Sequence, residues 1–203
     1  YPYIQTANLP VRVGMTCTAT VSTTMMFICS AVVSEGGIDS AALFGYDFAV
    51  ANTTDVSVTT SATHMLSIRP KTTFNSITNR IKIIPTGLDL IITGSGTNIV
   101  FWELVLGQTL TSATAADVNT SYSGTEYLTG GTMSGSPIVI DSGYATSSNQ
   151  SKSSLDATVS TRYPITLTKA GANRDLGQLT LRATSIVGGT FNCRAVVKFK
   201  EIR

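Results

Sequence analysis

The chain has one histidine, His64, and three cysteines, Cys17, Cys29 and Cys193. General-base work by a histidine needs a nucleophile and an orienting acid close by, and no local motif supplies them. His64 therefore reads as structural. With no second histidine and no carboxylate cluster beside it, metal binding is weaker still, and no Cys-x-x-Cys spacing suggests zinc. An odd cysteine count cannot be a complete set of internal disulfides. Cys29 and Cys193 sit in apolar runs and read as buried free thiols, with one structural bridge as the alternative.

Glu103 lies between Trp102 and Leu104 in an otherwise apolar run. A buried carboxylate can act as an acid, and paired carboxylates cleave glycosides. Glu126, Asp117 and Asp141 are the candidates for a second acid. The simpler reading is that Glu103 pairs with an Arg or Lys, or marks an exposed face, because nothing fixes a carboxylate separation. Trp102, Tyr122, Tyr127 and Tyr144 could together form an aromatic platform for a sugar ring or a partner, although aromatic residues in strands are more often core or subunit contacts. Gly94-Ser95-Gly96 lacks the third glycine, or the Gly-Lys-Ser/Thr leading into a helix, that a phosphate-cradling loop needs, and reads as a turn. Asn52, Asn119 and Asn149 begin Asn-x-Ser/Thr sequons, which in a Thr/Ser-rich chain are expected by chance and matter only in a glycosylating pathway. No catalytic residue, cofactor site or metal site is assigned.

The elements that must position these residues are strands. Val11 begins a strand near 11–15, residues 16–22 alternate, and MMFICSAVVS (25–34) is apolar on both faces, as in a central strand. Strands are expected at 43–50, from Val56, and at 64–69, where Pro70 withholds a backbone donor. Residues 80–84 place Ile81 and Ile83 inward and Arg80 and Lys82 outward. Pro85-Thr86-Gly87 reads as a turn before a strand at 88–93, and 94–98 as a hairpin-length link into IVFWELVL (99–106). A return strand is expected at 137–144 and a mobile surface loop at 145–154. At the end of the chain, Leu179, Leu181 and Ala183 alternate inward. After the turn Gly188-Gly189, Phe191, Cys193, Ala195, Val197 and Phe199 do the same, which predicts a β-hairpin. No helix of ordinary length appears at a 3.6 period; 111–118 could hold one short turn. The expectation is an all-β, antiparallel β-sandwich, jelly-roll-like, with an extended arm at 1–8 and a single domain at 9–203.

Composition narrows the role. In 203 residues, 42% are apolar, only 13% are charged and the net charge is +2. The chain is too apolar for disorder, and the balance is too near neutral for a nucleic-acid-binding face. No apolar run reaches the ~18 residues of a membrane span, and no signal peptide is visible. The first residue is Tyr1 rather than Met, as in a processed, truncated or partial chain. So little charge suits a surface partly covered by partners.

Several stretches resemble a β-rich C-terminal region common in structural proteins of tailed bacteriophage virions. They are LPVR (9–12), ICSAVVSEGG (28–37), LSIRPKTTFNSITNRIKIIP (66–85), the Trp102-Glu103-Leu104 strand with LTSATAADVNTSYSGTEY (110–127) and SGSPIVIDSGY (134–144), and the closing LTLRATSIVGGTFNCRAVVKFKEI (179–202). Their shared order says more than any one of them. The resemblance implies a non-enzymatic virion protein on the particle surface, either a capsid decoration (cement) protein or a head or tail fibre domain. It would work by contacts with the major capsid protein and with copies of itself, most simply as a homotrimer. The rival reading is a carbohydrate-binding adhesin, or a pilin-like filament subunit whose segment YPYIQTANLP completes a neighbour's sheet.

Overall fold

The computed structural model describes residues 45–93, 98–147, 164–168, 170–173 and 176–202, with the backbone of 151–154. The strands expected before residue 43, the arm at 1–8, Cys17, Cys29, Asn149 and the Gly94-Ser95-Gly96 turn lie outside the described residues. In chain order the strands begin with β1 (Tyr46–Ala51), β2 (Val56–Val58), β3 (Thr63–Pro70), β4 (Thr73–Phe74) and β5 (Ile77–Thr78). Next come β6 (Lys82–Thr93), β7 (Ile99–Leu106), β8 (Thr109–Thr111), β9 (Thr114–Asp117) and β10 (Thr125–Thr129). The last are β11 (Thr132–Ser134), β12 (Ile138–Thr146), β13 (Ser151–Ser154), β14 (Leu179–Ser185) and β15 (Phe191–Ile202).

Two antiparallel sheets carry the core. One runs β1-β15-β6-β13, with β2 also paired to β15; the other runs β12-β7-β14-β3-β10-β9. Alternation decides which residues face inward. Leu88, Leu90, Cys193, Val197 and Phe199 from the first sheet join Leu66, Ile68, Trp102, Leu104 and Leu181 from the second in one buried cluster. This is the expected antiparallel sandwich, all-β throughout the described residues. The short turn considered at 111–118 contains β9, not a helix.

Four local expectations are corrected. Leu179–Ser185 and Phe191–Ile202 have the predicted inward faces but do not pair. β14 hydrogen-bonds to β3 and β7, and β15 to β1, β2 and β6. The link between them, with Gly188 (φ 78°) and Gly189 (φ 91°), therefore crosses from one sheet to the other. Alternation says which face is buried, and two strands facing each other across a core satisfy it as well as two side by side. Likewise β6 and β7 lie in different sheets, so these two strands do not form a hairpin.

Pro85-Thr86-Gly87 is not a turn. The ladder between β6 and β15 runs past it, with Lys198 opposite Gly87 and Phe199 opposite Pro85, so Thr86 is an extra, exposed residue. This bulge switches the inward phase from odd positions (Ile81, Ile83) to even ones (Leu88, Leu90, Ile92), and it is where an interior strand tolerates proline. Finally, the loop expected at 145–154 contains a strand, β13, paired with β6 at Leu90 to Gly87.

The inward alternation of β15 continues past Phe199 to Glu201, which is fully buried. Its carboxylate accepts hydrogen bonds from the hydroxyls of Ser123 (2.8 Å) and Thr125 (3.0 Å) and from the Gly124 N–H (3.1 Å). Gly124 sits where a Cβ would come within 2.9 Å of the Asn79 amide, whose Nδ2 donates to the carbonyls of Gly124 (2.7 Å) and Lys71 (2.8 Å). The last strand of one sheet is thereby fastened to the entrance of β10 in the other.

The Ser123 and Thr125 hydroxyls and the Gly124 N–H all donate to this carboxylate, and a side chain without an acceptor would deprive all three of it. Glu201→Ala should destabilise the protein by at least roughly 1–3 kcal/mol, the cost of buried donors left unsatisfied. Denaturant melts of the two proteins measure the difference, and equal midpoints would show that the network contributes nothing.

Candidate functional site

The residues that could do chemistry are dispersed. Glu103 on β7 lies directly opposite Arg182 on β14 and is bonded to its Nε at 2.8 Å, the simpler of its two expected fates. Glu126 and Asp117 face each other across β10 and β9, but each is held by a cation, Arg69 at 2.5 Å and Lys71 at 3.3 Å. Asp141 accepts the N–H of Ser142 at 2.8 Å. Among the described residues no three His, Cys, Asp or Glu side chains converge as a metal site would require.

The aromatic platform is not assembled. Trp102 points into the core, 4% exposed, and lies over Gly143, where a Cβ would come within 2.7 Å of the indole. Tyr144, next along β12, points to the other face, is 66% exposed and packs its ring 5.2 Å from that of Phe101. Tyr127 packs half-buried against the core, and Tyr122 stands exposed in the turn before β10. Period-two alternation places Trp102 and Tyr144 on opposite sides of the same sheet.

Cys193 is a buried free thiol, and burial, aided by the charge of Asp55, pushes its pKa up to about 11. Asn52 of the first sequon is buried. Its Oδ1 accepts from the Ala195 N–H and its Nδ2 donates to the Thr54 carbonyl.

His64 takes part in an arrangement that the sequence did not reveal. Its Nδ1 lies 2.5 Å from the carbonyl of Gly130 and its Nε2 2.7 Å from Ser67 Oγ. Ser67 Oγ lies 2.7 Å from Thr180 Oγ1, which accepts from Gln178 Nε2 at 3.2 Å. A carbonyl can only accept, so Nδ1 carries the proton and Nε2 accepts from Ser67. The serine oxygen then accepts from Thr180, giving a relay with one direction. Histidine hydrogen-bonded to serine is the geometry of a base and its nucleophile. Here, however, Ser67 and Thr180 are fully buried, and no atom of the serine meets solvent. The relay fastens the Gly130 turn to the sheet.

His64 and Ser67 share a face only because of a bulge. Leu181 pairs with Leu66 and Arg182 with His64, so Met65 is the extra residue. Without it, a three-residue spacing would put them on opposite faces.

Two surface features remain. A cleft of about 440 Å3 lies between residues 51–56, Met65 and the end of β10 at Tyr127, Thr129 and Gly130. The other is β12, an edge of the six-stranded sheet that exposes Ile138, Val139 and Tyr144. Comparison with family models, with curated proteins and with solved structures gives no match to the chain, and none of the three links it to phage structural proteins.

Burial lowers the pKa of His64 below 6.5, while its bond to the Gly130 carbonyl opposes the shift. The unfolded chain then binds the proton first, so this stabilisation is complete above pH 6.5 and declines as pH falls below it. Unfolding midpoints should therefore decrease as the pH falls from about 7 to about 5, the titration range of an unperturbed histidine. His64→Gln should lack that component, and parallel curves for the two proteins would place the titrating group elsewhere.

Proposed function

We propose that this chain is a non-enzymatic structural protein of a virion, a capsid surface decoration or cement protein or a fibre domain that works through protein–protein contacts. The reading takes its family from the order of the phage-like motifs, and a jelly-roll-like wiring of the sandwich belongs to it. Its partners are copies of the same chain, as a homotrimer, and the major capsid protein, at the outer surface of the particle.

The observation that carries the contact-based part is the β12 edge. Exposed Ile138 (47%), Val139 (46%) and Tyr144 (66%) lie along one strand that has no sheet partner on its far side among the described residues. A long edge with exposed apolar residues is what soluble proteins usually blunt with lysine or proline. Tyr144 is further stiffened by the Phe101 ring, and aromatic side chains on rigid supports are the usual energetic anchors of interfaces. The cations support contact over nucleic-acid binding, since Arg69, Lys71, Arg182, Arg194 and Lys198 are each engaged by a carboxylate.

The test is assembly. Sedimentation of the purified chain, alone and with expanded phage capsids, should show an oligomer that binds the shell. Val139→Lys combined with Tyr144→Ser should weaken association about tenfold or more, as loss of an interface anchor does, without lowering the melting temperature. A chain that stays monomeric and ignores capsids, or a variant that assembles unchanged, would refute the reading.

A further inference from the structure

We propose that the cleft between residues 51–56 and the end of β10 is a binding site for a short neutral saccharide. The inference does not depend on a virion role. It starts from size and lining. About 440 Å3 falls within the roughly 300–1,000 Å3 typical of small-molecule sites. Thr53, Thr54 and Thr129, each with a hydroxyl to offer, line it together with Tyr127, Val56 and Met65. Hydroxyl groups around an apolar and aromatic patch match the two-sided character of a sugar ring, whose C–H face stacks while its hydroxyls hydrogen-bond.

Charge selects among polar ligands. Asp55 is the one ionisable carboxylate of the lining, and neither Lys nor Arg is among the lining residues. The Arg194 guanidinium, 2.6 Å away, bonds to Asp55 and holds its carboxyl below the usual range. The nearest cation, Arg194, is already engaged by Asp55, so a phosphate or carboxylate ligand would have to compete with that carboxylate and a cation with Arg194. An uncharged, hydroxyl-rich molecule meets neither obstacle.

Both walls are fixed before any ligand arrives. On one side the Asn52 N–H donates to the Ala195 carbonyl at 3.1 Å, and the Asn52 amide oxygen takes the Ala195 N–H in return. On the other, His64 grips the Gly130 carbonyl. A preformed site loses less conformational freedom on binding, which matters for weakly held ligands such as sugars. Of the four aromatic residues considered from sequence for glycan contact, Tyr127 alone is among the lining residues; the others are Trp102 in the core and Tyr122 and Tyr144 on the surface.

The experiment is ligand-observed NMR and titration calorimetry of the intact chain with neutral di- and trisaccharides of glucose, galactose and N-acetylglucosamine. Sialyllactose and glucose 6-phosphate serve as charged probes. At least one neutral sugar should bind, and more tightly than either charged probe. Tyr127→Ala should weaken that binding about tenfold, a typical loss for an aromatic contact. Because Tyr127 also touches the core, Thr129→Val is the companion variant. It keeps the shape and strand preference of the residue, removes the hydroxyl, and should weaken binding with an unchanged melting temperature. No binding of any neutral probe at about 10 mM, the weak end of measurable affinity, would overturn the proposal. So would preference for a charged probe, or undiminished affinity in Thr129→Val.

Discussion

A carboxylate buried at the far end of the last strand sets the terms for much of this fold. Glu201 continues the inward row of Cys193, Ala195, Val197 and Phe199, so the same face that packs the core ends on an ionisable group. Burying such a group is expensive unless its oxygens are filled. Ser123, Gly124 and Thr125 fill them. A slip of β15 by one residue would bring Lys200 to this position and leave the three donors facing a cation. The carboxylate thus fixes the register of β15 against β6 and β1. Because Thr125 opens β10, it also ties the two sheets together. From there the chain leads through Tyr127 to Gly130, where His64 takes hold.

The legible part of the fold was the part that depends only on which face of a strand is apolar. Residues 99–106 follow from a nearly unbroken apolar run, the inward sets of β14 and β15 from alternation, and the all-β class from many such short segments with no 3.6-residue period among them. Pairing partners did not follow. β14 and β15 show the clearest alternation in the chain and lie in opposite sheets, because the pattern encodes burial and not neighbourhood. At Pro85-Thr86-Gly87 the signal for a change of phase was present in the sequence. One bulged residue accomplishes what a turn was expected to do, and only the unbroken odd phase of the facing strand, β15, distinguishes the two.

Bulges also hid the polar interior. The serine three residues beyond His64 looks unrelated to it under strict alternation, and Met65 as an extra residue brings the pair to one face. The cleft was invisible for another reason: its walls come from 51–56 and 127–130, and local spacing says nothing about segments so far apart. Glu201, by contrast, could have been found, since extending the alternation two residues past Phe199 places a carboxylate in the core. Glu103 was legible as one of a pair, and Arg182 supplies its partner from the opposite position on the neighbouring strand.

Pairing of charges across neighbouring elements also governs how such a surface can recognise anything. Arg69, Lys71, Arg182, Arg194 and Lys198 all lie within 3.3 Å of a carboxylate. Partly exposed pairs of this kind contribute only about 0–1 kcal/mol each, so their larger effect is to cancel the field that would steer a charged partner. On the proposed readings, recognition would then fall to short-range features, namely apolar side chains on an edge and threonines around a cleft. In the strand order β12-β7-β14-β3-β10-β9 the exposed edge and the strand that lines the cleft, β10, are four places apart. At about 4.8 Å per strand that is a separation of roughly 19 Å across the sheet. A neighbour docked along β12 would leave the cleft beside Tyr127 open, so one molecule can be held in an assembly by one side of its sheet while the other side meets a ligand.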